Sequence, residues 1–84
     1  MYQVHWSKRA WKRLKKVPQS DQAAIYQAVT ELRHWPECKK VKALRGRSGY
    51  RLRVGRYRVI FEVKVSVKII SVQDVGKRDE RTYK

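Results

Sequence analysis

Arg51, Arg53 and Arg58 are the residues of this chain whose type and spacing could do chemistry. They lie in residues 50–63, Tyr-Arg-Leu-Arg-Val-Gly-Arg-Tyr-Arg-Val-Ile-Phe-Glu-Val. Tyr50, Leu52 and Val54 alternate with Arg51 and Arg53, the period of a half-buried strand. Gly55-Arg56 suits a two-residue type II′ turn, because glycine takes a positive φ without a Cβ clash. Such a turn sets Val54 opposite Tyr57, Arg53 opposite Arg58, Leu52 opposite Val59 and Tyr50 opposite Phe61. One face of the hairpin is then apolar, and the other gathers three arginines around Ile60. Like charges directly opposed on a sheet destabilise it, so folding gains nothing from pairing Arg53 with Arg58. The basic face reads either as a solvated surface that aids solubility or as an anion site, where planar guanidinium forks bind phosphate bidentately.

The composition bears on that choice. Across 84 residues, 22 Lys and Arg stand against 7 Asp and Glu, for a formal charge of +15. A charge of that size costs folding stability by self-repulsion and points to a polyanionic partner, nucleic acid or an acidic protein. With 42% hydrophobic residues, three Trp, five Tyr and one Phe, the chain can pack a core and is not a disordered basic tail. Its length suits one domain spanning residues 1–84, with a thin core. No apolar run approaches the roughly 20 residues of a membrane span, and the N-terminus has no signal-peptide pattern. No membrane partner is expected, and a cytoplasmic location is.

Other chemistries find little support. Cys38 is the single cysteine, so an internal disulfide is impossible, and no histidine at a useful spacing makes it a nucleophile. Two histidines and one cysteine at scattered positions form no metal signature. Gly46, Gly49, Gly55 and Gly76 match no nucleotide-binding loop. Neither a metal nor a small-molecule cofactor is expected.

The remaining elements must position the basic face. Tyr2, Val4 and Trp6 alternate with Gln3 and His5 as a short first strand, which could bring His5 to that face. Ser7 suits an N-cap, and Ala10, Trp11, Leu14 and Val17 recur at helical spacing. Trp11 reads as core rather than as a platform for a base. Pro18 ends that helix or starts the next, and Ser20-Asp21 supply a cap and a first-turn charge for a second helix reaching about His34. The short link predicts an antiparallel helical hairpin. His34 and Trp35 should finish the helix and cover the edge of the core. Residues 39–49 carry Gly and Ser punctuation and read mostly as loop. After the hairpin, a third strand is expected over residues 65–72, following a turn near Val63-Lys64 that no Gly or Asn marks, and residues 73–84 read as a polar tail. The expectation is an α+β fold: an N-terminal strand and a two-helix hairpin, packed on one face of an antiparallel sheet completed by a three-strand meander.

The ordered set of segments resembles the RelE/ParE family of toxins from toxin–antitoxin pairs over nearly the whole chain. The resemblance runs through Ser7-Lys8-Arg9-Ala10 and Leu14-Lys15-Lys16-Val17-Pro18 in the first helix. It is strongest in Ala43-Leu44-Arg45-Gly46, in Tyr50 through Phe61, and in Val75-Gly76-Lys77-Arg78. It implies a RelE-like fold and one of two activities on one scaffold. RelE-like members are ribosome-associated ribonucleases that cut messenger RNA, whereas ParE-like members poison DNA gyrase. The basic pattern of the first group is matched at Arg51, Arg53, Arg58 and Arg78, with Tyr83 near its expected place.

The resemblance therefore implies a metal-independent endoribonuclease acting on messenger RNA at the ribosome, with a cognate antitoxin as protein partner. RNA carries its own nucleophile, the 2′-OH, so the protein must hold the strand in line, neutralise the phosphate and move protons. Arg51, Arg53 and Arg58 suit the first two tasks, but a guanidinium stays protonated and is no general base. This departs from members with Lys or Glu at the proton-transfer positions, leaving Lys77, Tyr83 and His5 as candidates. Lys12, Arg13 and Lys16 of the first helix, with Lys42, Arg45, Arg47 and Arg56, would add sequence-independent attraction to messenger and ribosomal RNA. A gyrase inhibitor and a non-catalytic RNA-binding module are the alternatives.

Overall fold

The computed structural model describes residues 1–78. In chain order these form strand β1 (Gln3–Trp6), helix α1 (Lys8–Lys15), helix α2 (Gln19–Thr30) with a 3-10 extension (Glu31–His34), and then strands β2 (Val41–Ala43), β3 (Tyr50–Val54), β4 (Tyr57–Lys64) and β5 (Ile69–Lys77). The five strands make one sheet in the order β1-β5-β4-β3-β2. The helices pack on one of its faces, so the α+β reading holds. β1 runs parallel to β5 while the other neighbours are antiparallel, which makes the sheet mixed.

Local chemistry accounts for most boundaries. Ser7 caps α1, its Oγ accepting the Ala10 amide at 3.0 Å. Pro18, not Ser20 or Asp21, is the N-cap of α2, with φ −52° and ψ 145° and no side-chain cap bond. Proline has its φ fixed near the helical value and lacks an N–H that would need a partner, so it starts the helix two residues sooner than the Ser-Asp signal suggests. The Gln22 side chain then donates to the Lys15 and Val17 carbonyls at 3.1 and 2.7 Å and ties the end of α1 to the start of α2.

The central hairpin has the register expected from its turn: Val54 faces Tyr57, Arg53 faces Arg58, Leu52 faces Val59 and Tyr50 faces Phe61. Gly55 has φ +56°, as a type II′ turn requires. Beneath the helices, Ala10, Leu14, Ile25, Val29 and Leu32 meet Leu52, Tyr57, Val59, Phe61, Ile70, Val72 and Val75. Trp35 packs edge-on against Tyr50 and Phe61 at ring distances of 4.7 and 5.8 Å, which closes the core where the 3-10 helix ends. Tyr57 Oη donates to Asp21 Oδ2 at 2.9 Å, a bond between sheet and α2.

Three boundaries differ from the sequence reading. Val65 and Val67 are 65% and 60% exposed in the turn between β4 and β5, where Lys68 takes φ +55°. Their alternation extends the pattern of β4 past its end, so periodicity alone places the third strand too early. β5 instead continues through residues 73–77 of the expected polar tail, because Val75 is buried opposite Val59. An irregularity at Ile60/Phe61 sets Asp74 opposite Ile60 but Val72 opposite Phe61, so one residue of β5 is extra and the simple alternation is broken. Part of the expected loop at residues 39–49 forms β2, three residues that pair with β3.

Gly49, just before β3, has φ +110°, and a Cβ there would lie 3.2 Å from the Phe61 carbonyl oxygen and 3.4 Å from Leu44 Cδ1. Gly49→Ala is expected to destabilise the fold by about 1–3 kcal/mol, read as a lower urea midpoint with unchanged slope.

Candidate nucleic-acid interface

On the sheet face away from the helices, register turns the basic residues of three strands into two rows. Lys42, Arg51 and Ile60 lie side by side across β2, β3 and β4. In the neighbouring row, Arg53 faces Arg58, and the Arg53 amide donates to the Lys40 carbonyl at 3.0 Å. Gly76 of β5 is the next partner of Arg58 and adds no side chain over it. Lys40, Val41, Lys42, Arg51, Arg53, Arg58 and Arg78 line one cavity of about 610 Å³. Its lining holds six cations and no carboxylate among the described residues. That volume is on the scale of sites that hold a small ligand or a nucleotide (about 300–1,000 Å³).

The cations differ in how firmly they are held. Arg58 is 4% exposed and donates through a terminal nitrogen to the Lys77 carbonyl, so it forms the buried floor rather than an open surface group. Arg51 and Arg53 are exposed above it. Arg78 is anchored beside the hairpin turn, its amide donating to the Arg56 carbonyl at 2.8 Å and its guanidinium to the Gly55 carbonyl at 3.3 Å. Four guanidiniums and two ammoniums around one space offer bidentate and point-charge contacts to a phosphodiester.

Several expected site residues stand elsewhere. Lys77 pairs with Tyr57, a core residue, so its side chain leaves the sheet on the face opposite Arg58; only its carbonyl reaches the site, as the acceptor of the Arg58 bond. Period-2 alternation decides this, since Lys77 and Gly76 must point to opposite faces. Tyr83 lies outside the described residues. His5 shares the open face but sits on the edge strand β1, with β5 and β4 between it and the arginine strand, and its Nε2 is 3.2 Å from Gln3 Oε1. Arg13 is drawn to Asp74, at 3.2 Å from Oδ1, and Arg9 joins the same carboxylate at 3.7 Å. Lys12 and Lys16 are exposed on or just after α1, Arg45 and Arg47 in the turn after β2, and Arg56 at the hairpin tip; of the expected RNA-attracting residues, Lys42 is the one that lines the cavity.

Lys40 falls within the loop from Lys39 to Arg47 expected to attract RNA, but the sequence does not single it out as a site residue. The signal was present: Lys40 and Lys42 flank Val41 with the same alternation that marked Arg51 and Arg53 around Leu52. It was obscured because a three-residue strand beside Gly and Ser punctuation reads as loop.

Trp11 is 39% exposed, not fully core, and meets the Trp6 and Tyr26 rings edge-on at 5.5 and 6.4 Å. Cys38 lines a second depression with Glu31, Glu37 and Lys39, and Lys40 and Arg53 border both this depression and the cationic cavity. Burial first, then the charges of Glu31 and Glu37, push its thiol above the ordinary range. It should therefore alkylate with iodoacetamide at neutral pH more slowly than free cysteine, measured by mass shift over time; a faster reaction would mark an activated thiol.

A family model described as the ParE toxin of the type II toxin–antitoxin system parDE matches residues 4–82. Among solved structures, the chain is similar to the archaeal RelE–RelB complex of Pyrococcus horikoshii OT3, with 27% identity, TM-score 0.81, and coverage of 94% of this chain and 97% of that one. The toxin–antitoxin complex RelBE2 of Mycobacterium tuberculosis shares the fold at 24% identity and TM-score 0.81, covering 92% and 98%. So does the YoeB/ParE toxin of Agrobacterium tumefaciens at 14% identity and TM-score 0.75, covering 90% and 98%. No curated protein matches the chain. Among the described residues, no helix is long and apolar enough to cross a membrane.

Proposed function

The chain belongs to the ParE toxin family of type II toxin–antitoxin systems, and from that premise we propose that it is an endoribonuclease that cuts messenger RNA at the ribosome. The observation that supports this reading is the cavity of six cations without a carboxylate in its described lining. A phosphodiester strand fits such a lining electrostatically, and an RNA strand brings the 2′-oxygen that attacks its own phosphorus. Arg53, Arg58 and Arg78 would hold the phosphate and take up the charge that grows on its oxygens, in a geometry set before the substrate arrives. Arg51 and Lys42 would carry the neighbouring phosphate, and Lys12, Lys16, Arg45, Arg47 and Arg56 would add long-range attraction to ribosomal RNA. The relatives solved as complexes with antitoxins support a cognate antitoxin as protein partner. An acidic or amphipathic segment lying over the cationic cavity would silence the toxin by occupying it.

The test is to induce the protein and map new RNA 5′ ends across translated messages. New ends inside coding regions that vanish with a translation inhibitor are expected. The ParE description of the matching family model favours a second reading, a DNA gyrase poison. DNA breaks with intact messages would select it and displace the ribonuclease.

A further inference from the structure

Four of the six cations around the cavity are arginines, and a guanidinium does not give up its proton in a protein. Among the described residues of the lining, two amines remain for proton transfer, Lys40 and Lys42. Their places differ. Lys42 lies in the row of Arg51 and Ile60, whereas the backbone of Lys40 meets Arg53 in the row of the buried Arg58, two of the arginines proposed above to hold the phosphate. The backbone marks Lys40 as well. Its φ of +63° is in the left-handed region, which strains a side-chain-bearing residue and which glycine would occupy without that cost. A lysine kept in a glycine conformation, at the rim of a cationic cavity and at the end of a strand, points to a use for its side chain.

We propose that Lys40 is the general base of RNA cleavage, a role that rests on the ribonuclease reading above. The amine of Lys40 takes the proton of the 2′-OH. The 2′-oxygen bonds to phosphorus, the bond from phosphorus to the 5′-oxygen breaks, and that oxygen leaves as a hydroxyl with a proton from water. The products are a 2′,3′-cyclic phosphate and a 5′-OH end. The surrounding guanidiniums stabilise the phosphorane throughout.

Two substitutions separate proton transfer from charge. Lys40→Arg keeps the positive charge and cannot act as a base. Lys40→Gly removes the amine and relieves the backbone, so it should fold at least as well as the parent. Purified full-length protein is given a message on programmed ribosomes, with single-turnover cleavage and RNA binding measured side by side. Both variants are expected to cleave about 100-fold or more slower, with RNA binding by Lys40→Arg unchanged. Added methylamine should restore part of the rate to Lys40→Gly and none to Lys40→Arg. Cleavage by Lys40→Arg at the parental rate would overturn the assignment and leave the ribonuclease reading standing. Failure of the parent itself to cleave would instead remove that reading, and the Lys40 role with it.

Discussion

Alanine at both Arg51 and Arg53 is expected to abolish growth arrest and messenger cleavage while the melting temperature holds or rises. Both side chains are exposed over the cavity, and Arg53 stands directly opposite Arg58 on the sheet. Removing one member of a like-charged cross-strand pair relieves a repulsion of roughly 0.2–1 kcal/mol, so the fold has nothing to lose. Activity has much to lose, since each donor aimed at developing phosphate charge is worth on the order of 100-fold or more in rate. The opposite movement of stability and activity is what separates a site from a solvated surface. The measurements are thermal melting of the purified protein, RNA 5′-end mapping, and colony formation after induction. Undiminished toxicity and cleavage in the double variant would return the arginine face to the status of a solubility device. Arg58 is a poorer choice for the same question. It is buried and ties β4 to the Lys77 carbonyl, so its loss disturbs the sheet along with any phosphate contact.

The second large effect falls on the core. Phe61→Ala is expected to cost about 3–5 kcal/mol and to leave much of the protein unfolded at 37 °C. Phe61 is fully buried, with Tyr50 stacked beside it at 5.6 Å and Trp35 edge-on at 5.8 Å. The cavity left by the ring would be walled by two large aromatics anchored on other elements, which limits collapse around it. A domain of this size has a total stability of only about 4–13 kcal/mol. The loss would appear as a broad, low-temperature unfolding transition and a sharp fall in soluble yield. A drop in melting temperature of only a few degrees would show that Trp35 and Tyr50 close the gap.

Much of this was readable from local chemistry. Ser7 announces the first helix through its hydroxyl, Gly55-Arg56 sets the hairpin register through its turn geometry, and that register alone opposes Arg53 to Arg58. These features depend on a few adjacent residues, and nothing distant in the fold overrides them. The charge of +15 likewise points to a polyanionic partner from the sequence alone, because electrostatics sums over residues wherever they sit.

What the tertiary structure decided are the matters set by pairing between distant segments. The parallel placement of β1 against β5 rests on contacts between residues 3–6 and 69–72, which no periodicity encodes. The extra residue of β5 near Asp74 shifts the alternation, and the register of Tyr57 with Lys77 sends the expected catalytic lysine to the far side of the sheet. Three residues of apparent loop become a strand only because β3 offers them an edge, and with that edge Lys40 and Lys42 join the arginines. Side-chain type and turn chemistry are local and written in order along the chain. Which face a residue shares, and with whom, depends on backbone hydrogen bonds that form only once the whole sheet has assembled.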